Sequence, residues 1–173
     1  MKISYSFYLL LLLWLFIGTS CIRENLPESE ERITVGDVLP SFQVRLDDGN
    51  VFSESQFDGK IGVIVFFHTD CPDCRMELPV IQKLYDCYRN DKSVLILCIS
   101  REEGKEQIDA YWKQAGLSVP YSAQTDRTVY ELFCTVGIPR IYIAGPDRVV
   151  RAVYTDNPLA TLEELERSVE ACR

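Results

Sequence analysis

A Cys-x-x-Cys pair at the point where a buried strand becomes a helix constrains this chain more than any other feature. Residues 61–67 are apolar and rich in branched and aromatic side chains, which is typical of a buried strand. Apolar residues then recur at roughly helical spacing, so Cys71 and Cys74 lie on the first turn of a predicted helix. Unpaired backbone N–H groups and the helix dipole favour a thiolate there. The pair is therefore predicted to be reactive.

Two other interpretations of the pair are a half zinc site and a structural clip. A zinc site of this kind needs four protein ligands, usually completed by a second Cys or His pair at short spacing. None follows, and the single histidine, His68, lies three residues before Cys71. The pattern favours dithiol redox chemistry, with no metal and no other cofactor. The remaining cysteines of the domain are scattered singly, and the sequence leaves their pairing open: Cys87, Cys98, Cys134 and Cys172.

Length and charge indicate a single domain and argue against some classes of binding partner. The 173 residues amount to about one domain once a targeting signal is set aside, long enough to bury roughly two-thirds of the unfolded surface in one core. The formal net charge of -8 argues against nucleic acid or an anionic membrane surface as a partner. We therefore expect no nucleic-acid binding.

The first 20 residues are predicted to be a targeting signal outside the fold. Lys2 precedes an apolar run at 8–17 that is too short to span a bilayer comfortably, and small residues then lead into Cys21. This resembles a bacterial lipoprotein signal, although Gly18 stands where such signals usually carry Leu. The resemblance implies that Cys21 carries lipid, that 21–33 form a polar tether, and that 34–173 form a domain outside the cytoplasm, where disulfides persist.

The mature chain begins with strand and helix patterns in a recognisable order. Two short apolar segments flank the turn at 47–50 and predict an N-terminal β-hairpin. A second buried strand is expected at 93–99, followed by a helix over 102–115 that Gly116 ends. Strand, helix, strand and helix in this order predict a parallel βαβ core.

The last third of the sequence predicts a different arrangement. Residues 128–136 have the pattern of a short helix, and segments 140–144 and 149–154 form an antiparallel hairpin. Residues 161–164 carry a Thr-x-x-Glu capping box that opens the last helix. The predicted fold class is α/β, a mixed sheet flanked by helices with an N-terminal hairpin extension.

In this order the motifs resemble the thioredoxin superfamily, and within it the membrane-tethered TlpA/ResA-like thiol-disulfide oxidoreductases. The resemblance covers Val35 to Cys172. Each motif is weak alone, but their order and spacing are specific. The motifs are Gly36-Asp37-x-x-Pro40-x-Phe42, Gly59-Lys60, Cys71-x-x-Cys74 with Pro79 five residues later, and Gly137-Ile138-Pro139 before a strand.

The resemblance implies a role for five site residues. Cys71 is the attacking nucleophile and Cys74 resolves the mixed disulfide. Pro139 is the cis-proline facing the pair, and the Ile138 backbone pairs with an extended substrate peptide. Glu77 stands where ResA-like proteins carry a buried glutamate, whose pKa an apolar pocket raises so that it trades protons with the buried thiol.

Several residues depart from the family pattern. Asp70 replaces the usual Trp before the first cysteine, and Asp73 lies between the cysteines. Both carboxylates disfavour a thiolate on Cys71, which predicts a reductant. Arg140 follows the cis-proline where Thr is usual, and it is expected to sense substrate charge. Asp70 and Arg140 complete the predicted substrate-binding residues.

The resemblance implies an enzyme of the bacterial cell envelope, membrane-anchored and facing the periplasm. Its substrates would be protein disulfides, and its electrons would come from a membrane donor of the DsbD/CcdA type. A peroxiredoxin-like thiol peroxidase is an alternative on the same scaffold, although the Pro-x-x-x-Thr-x-x-Cys loop of that family is missing its Pro and Thr here. A Sco-like copper-delivery module is another, although no histidine follows Cys74.

Overall fold

Two sheets and three helices make up the part of the chain that the computed structural model describes, residues 31–173. The mixed α/β class and the N-terminal hairpin predicted from the sequence are confirmed. The elements in chain order are β1 (Gln43–Arg45), β2 (Val51–Ser53), β3 (Ile61–Phe67), α1 (Pro72–Tyr88), β4 (Val94–Ser100), α2 (Lys105–Ala115), β5 (Tyr121–Ser122), β6 (Arg140–Ala144), β7 (Val150–Tyr154) and α3 (Leu162–Glu170), with 3-10 turns at Glu54–Phe57 and Tyr130–Leu132.

The larger sheet has five strands in the order β5-β4-β3-β6-β7. Strand β3 is central, parallel to β4 and antiparallel to β6, and all seven of its residues are buried. Burial on both faces explains its continuous apolar sequence. At the carboxyl end of β3, Phe67 pairs with Ser100 of β4, so the chain that follows each strand emerges at the same edge. The Cys-x-x-Cys segment begins at that edge.

Aromatic rings fix the end of β3 from both sides of the sheet. Phe67 packs against Trp112 of α2, with 4.9 Å between ring centroids. On the opposite face, Phe66 contacts three rings whose centroids lie 4.9–6.1 Å away: Tyr130, Phe133 and Tyr142. Interlocking rings of this kind leave little freedom in the strand that leads into the cysteines.

Helix α2 begins later than predicted. The sequence indicated a helix over 102–115, but α2 starts at Lys105. Glu103 is buried and its backbone bridges to Gln124, while Glu102 has a positive φ of 60°. The buried contacts of Glu103 therefore keep residues 102–103 out of the helix, despite their helix-favouring sequence. At the other end Gly116 adopts the left-handed conformation, φ 68°, that ends the helix as predicted.

The segment 128–136 was also predicted to be helical, and that prediction is wrong. It contains only the 3-10 turn at Tyr130–Leu132. The carbonyl oxygen of Phe133 accepts hydrogen bonds from the backbone N–H groups of Arg32 and Ile33, at 3.0 and 3.1 Å. Cys134 also pairs with Glu31 in an isolated antiparallel bridge, so the chain after Phe133 runs alongside the N-terminal segment instead of continuing as a helix. Strand β5 was not predicted because two residues carry no periodic pattern.

The N-terminal part of the described chain packs against the domain. Glu31 forms an isolated bridge with Cys134, so packed structure begins three residues before the predicted domain boundary at residue 34. The predicted signal over 1–20, the lipidation site Cys21 and the rest of the predicted tether lie outside the described residues. No helix within residues 31–173 has the length and apolar character that crossing a membrane requires.

Candidate active site

Cys71 and Cys74 occupy the first turn of α1 in different environments. Cys71 is the N-cap residue, and its Sγ accepts a hydrogen bond from the backbone N–H of Cys74 at 3.4 Å. Pro72 at the first helical position has no N–H to leave unpaired there. Cys71 is half-buried, whereas Cys74 is fully buried, and both are free thiols. The arrangement provides one thiol that a substrate can reach and a second one shielded behind it.

The buried thiol of Cys74 holds its proton strongly. Burial raises its pKa because a thiolate loses its hydration there, and contact with Cys71 raises it further. The backbone of His68 and the positive charge of Arg101 oppose these effects only in part. Cys74 therefore needs a nearby proton acceptor before it can act as a nucleophile.

Glu77 is the buried acid that the sequence comparison with ResA-like proteins suggested. It is 1% exposed, and among the described residues neither carboxylate oxygen has a hydrogen-bond partner. Burial raises its pKa to about 7, the charge of Glu164 adds to the increase, and the nearby Ala160 backbone opposes it. Glu77 follows Cys74 by three positions and so lies on the same face of α1. A carboxyl group that titrates near neutrality thus accompanies the buried thiol.

The loop before β6 completes the surroundings of Cys71. The Ile138–Pro139 peptide bond is cis, and both residues are buried. The Cys71 thiol donates a hydrogen bond to the carbonyl oxygen of Ile138 at 3.5 Å. Gly137, with φ 86°, supplies the left-handed backbone that turns the chain into this bond. The structure therefore brings the predicted substrate-binding residues Ile138 and Pro139 to the predicted nucleophile.

Side-chain donors hold the carbonyl groups of this loop one after another. Each of the three carbonyls that precede Ile138 accepts a hydrogen bond from a long polar side chain. The pairs are Arg127 with Thr135, Arg140 with Val136 at 3.0 Å, and the Tyr130 hydroxyl with Gly137 at 2.8 Å. The loop is thus tied to the domain by its backbone, and the Ile138 carbonyl is the next in the series.

The two other predicted substrate-binding residues have different positions. Asp70 is exposed beside Cys71, and its carboxylate lies 3.5 Å from the guanidinium of Arg75. Arg140 is 4% exposed and forms an ion pair with Glu31 beneath the loop. The expectation that Arg140 senses substrate charge is therefore corrected: its guanidinium is directed into the domain because loop carbonyls and a carboxylate bind it there.

A buried acid that no sequence motif singled out supports the segment before Cys71. Glu103 accepts hydrogen bonds from the backbone N–H of Thr69, at 2.8 Å, and from the Thr69 hydroxyl. Its carboxylate also lies 3.9 Å from His68, whose Nδ1 accepts a hydrogen bond from the Asp70 N–H. Glu103 follows the strand parallel to β3, and the chain after such strands meets at one edge. Its place just after that strand was the one sequence feature that could have predicted Glu103 near the site.

The four other described cysteines are free thiols. Cys98 lies within β4, where burial raises its pKa. Cys134 is buried and donates to the carbonyl of Val136 at 2.9 Å, close behind the cis-proline loop. Cys87 is exposed on α1, and Cys172 is buried near the C terminus. Within residues 31–173, no three His, Cys, Asp or Glu side chains are grouped so that they could hold a metal ion.

Comparison with known proteins gives one family and related structures. The sequence model of the AhpC/TSA family matches residues 35–153. The thiol-disulfide oxidoreductase ResA of Geobacillus kaustophilus is 25% identical over 165 residues, covering 95% of this chain and 92% of that protein. The solution structure of a candidate protein disulfide isomerase from Bacteroides thetaiotaomicron has a TM-score of 0.73 at 22% identity, over 80% of this chain and 87% of that one.

A third similar protein is not named as a disulfide oxidoreductase or isomerase. A mutant of Xylella fastidiosa PrxQ has a TM-score of 0.68 at 13% identity, covering 80% of this chain and 96% of that one. At these identities the two solved structures show the fold alone.

Proposed function

Since this chain belongs to the AhpC/TSA family, we propose that it is a thiol-disulfide oxidoreductase whose redox pair is Cys71 and Cys74. Its ResA relatives are named thiol-disulfide oxidoreductases, which is the activity proposed here. The observation that carries the proposal is the position of Cys71, an accessible thiol at a helix N-cap within 3.5 Å of the Ile138 carbonyl, with a buried thiol one turn behind it.

Two exchange steps follow from this geometry. The thiolate of Cys71 attacks one sulfur of a substrate disulfide, whose S–S bond breaks, so that a mixed disulfide forms and one substrate thiol leaves. The Cys74 thiol then loses its proton and attacks the Cys71 sulfur, which releases the second substrate thiol. The enzyme is left with a Cys71–Cys74 disulfide, and two electrons have passed to the substrate.

Glu77 supplies the proton acceptor for the second step. Cys74 is buried, so water cannot readily remove its proton, and the raised pKa of its thiol makes the step slow without help. A carboxyl group whose pKa is about 7 exists partly as the base at neutral pH. Its place on the same helix face supports proton transfer from Cys74, directly or through one water molecule.

Substrate class and direction also belong to the proposal. The cis-proline loop offers the Ile138 backbone to an extended peptide, which favours protein disulfides over small-molecule disulfides as substrates. Asp70 and Asp73 oppose a thiolate on Cys71 and so favour a reducing couple. Such an enzyme needs electrons from a membrane donor, of the DsbD/CcdA type in related systems, at the periplasmic face of the cell envelope.

Membrane attachment through Cys21 is the remaining part of the proposal, and it has its own test. Cys21→Ala should move the protein from the membrane to the soluble envelope fraction, and the intact mass of the wild type should include acyl chains. A wild-type mass without acyl chains would reject lipidation. Cys87→Ala should leave both results unchanged, because that exposed cysteine lies on α1 in the folded domain.

Reduction of insulin by the full-length protein with a dithiol tests the redox pair. Cys71→Ser and Cys74→Ser should each abolish the reaction, whereas Cys87→Ser on the same helix should leave it unchanged. Cys74→Ser should also accumulate a mixed disulfide at Cys71, since the resolving thiol is gone, and the trapped partners identify the substrates. Full activity in Cys71→Ser would end the proposal.

A peroxidase activity is a second candidate because PrxQ shares the fold and the matched family is AhpC/TSA. In that case Cys71 would attack a peroxide, the O–O bond would break, and a sulfenic acid and an alcohol or water would form. A peroxide consumption assay separates the two activities. Peroxide turnover that depends on Cys71 and exceeds insulin reduction would favour the peroxidase.

A further inference from the structure

Arg140 carries a positive charge into the domain at a position directly after the cis-proline. It is 4% exposed. A buried guanidinium is costly unless a carboxylate and hydrogen-bond acceptors surround it. Within residues 31–173, the ion pair that Arg140 forms is with Glu31. The family resemblance would place Thr at position 140, so this charge pair is a feature of this chain.

Backbone pairing places Glu31 at this position. Glu31 bridges to Cys134, and the N–H groups of the next two residues donate to the Phe133 carbonyl at 3.0 and 3.1 Å. The Tyr142 hydroxyl donates to the Glu31 carboxylate at 3.3 Å. The Glu31 side chain is 30% exposed, so water screens the ion pair from one side only. We call residues 31–33 the N-terminal strap.

Arg140 connects the strap to the loop that faces the nucleophile. Its guanidinium donates to the carbonyl of Val136 at 3.0 Å and to that of Gly137 at 3.4 Å. A Cβ atom at Gly137 would lie 3.0 Å from the same guanidinium, so the two groups are closely packed. The following residue is Ile138, whose carbonyl accepts the hydrogen bond from Cys71. The contacts are therefore continuous from Glu31 to the reactive thiol.

We propose that Glu31 is a positioning residue for the reaction at Cys71, acting through Arg140. The inference rests on the proposed function, since it assigns the loop the task of binding a substrate strand. Without the carboxylate, the guanidinium is left buried and unpaired, and it turns toward water. The carbonyls of Val136 and Gly137 then keep only the Cys134 thiol and the Tyr130 hydroxyl as side-chain donors, and the Ile138 backbone is held less firmly in place for a substrate peptide.

Single-turnover reaction of the reduced full-length protein with two disulfides tests this role. One is a peptide disulfide, which pairs with the Ile138 backbone, and the other is a small aromatic disulfide, which does not. Glu31→Gln should slow the peptide reaction by roughly three- to tenfold, the range expected for a directly coupled pair, and leave the aromatic reaction unchanged. Glu163→Gln, which neutralises an exposed acid paired with Arg167, should change neither rate.

The test is completed by measuring the same two rates in Arg140→Thr and in the double variant that adds Glu31→Gln. No buried cation needs a partner there, so adding Glu31→Gln should have no further effect on the peptide reaction. If Glu31→Gln alone does not fold, the double variant still tests the proposal, because a peptide rate below that of Arg140→Thr alone overturns the role of Glu31. A peptide rate that falls in both backgrounds alike, or in neither, overturns the role of Glu31. A Cys71→Ser variant that still reacts overturns the proposed function instead.

Discussion

The thiol of Cys71 lies 3.5 Å from the carbonyl oxygen of Ile138, although 67 positions separate the two residues in the chain. The sheet brings them together. Strand β3 ends just before Cys71, and its antiparallel neighbour β6 begins just after the Ile138–Pro139 bond, with Phe66 opposite Arg140. A helix N-cap and a tightly bonded loop therefore meet at one edge of the sheet, where a substrate can be bound by its backbone and attacked at its sulfur.

The pH dependence of stability tests the environment of Glu77. Its pKa is about 7 in the folded protein against an ordinary value of 4.5, so between these values the folded state keeps a proton that the unfolded state has released. The free energy of unfolding should therefore fall as pH rises from 4.5 to 7, by at most about 3 kcal/mol for this group.

Glu77→Gln should remove that contribution. The variant should show a flatter pH profile of stability than the wild type and should be the more stable of the two above pH 7, because no buried charge then has to form. Urea unfolding at pH 4.5, 6 and 8 measures this. The exposed Glu163→Gln variant is the control, and a Glu77→Gln profile parallel to the wild type would contradict the assignment.

The same substitution should affect one kinetic step more than the other. Glu77→Gln removes the proton acceptor for Cys74, so the mixed disulfide should form at close to the normal rate and resolve more slowly by about a hundredfold or more, as for loss of a general base. Rapid quenching with acid, followed by mass spectrometry, gives both rates. The pH dependence of resolution near pH 7 should disappear with the carboxyl group. Equal slowing of both steps would indicate a structural defect instead.

Loss of the Glu103 carboxylate should weaken the segment that leads into Cys71. Glu103→Ala leaves the Thr69 N–H and hydroxyl without their partner in the interior, which costs about 1–3 kcal/mol of unfolding free energy. Glu102→Ala is the matched control, since that neighbouring carboxylate is exposed and pairs with Arg127. Chemical unfolding of both variants provides the measurement. Equal decreases in unfolding free energy would show that the buried contact of Glu103 with Thr69 does not stabilise the fold more than the exposed pair does.

Local patterns predicted the elements that have strong periodicity. Strand β3, helix α1 and the capping box of Thr161 and Glu164 lie where the sequence placed them, because each is determined by residues close together in the chain. The helix predicted over 128–136 is only a 3-10 turn at Tyr130–Leu132, because Cys134 pairs instead with Glu31 of the distant N-terminal strap.

The site shows the same division. The local pattern placed Cys71 and Cys74 on the first turn of a helix, where the structure has them, whereas the orientation of Arg140 was predicted wrongly. The sequence around an arginine does not show whether its side chain is buried when the carboxylate that pairs with it is distant in the chain. Glu31, the partner of Arg140, lies 109 positions earlier. Glu103 was missed for a similar reason: its helical pattern agrees with its neighbours, and only its contact with Thr69 across the sheet edge distinguishes it.

The redox potential tests the proposed direction of the reaction. Asp70 and Asp73 flank Cys71 near the helix N terminus and oppose its thiolate, which makes the reduced form less stable. The potential should then lie nearer the thioredoxin value of about -270 mV than the DsbA value of about -120 mV. Asp70 is exposed and paired with Arg75, so solvent and the guanidinium screen most of its effect.

Replacing both acids should therefore raise the potential by a small amount. Asp70→Asn and Asp73→Asn together should shift it upward by roughly 10–30 mV at low ionic strength, and less in salt, because Asp70 is exposed and Asp73 is half-exposed. Asp86→Asn is the control: it neutralises an exposed acid on α1 about 20 Å further along the helix axis and should leave the potential unchanged. Equilibration with glutathione or a dithiol buffer measures each value. A wild-type potential near the DsbA end of the scale would make the protein an oxidant and overturn the proposed direction.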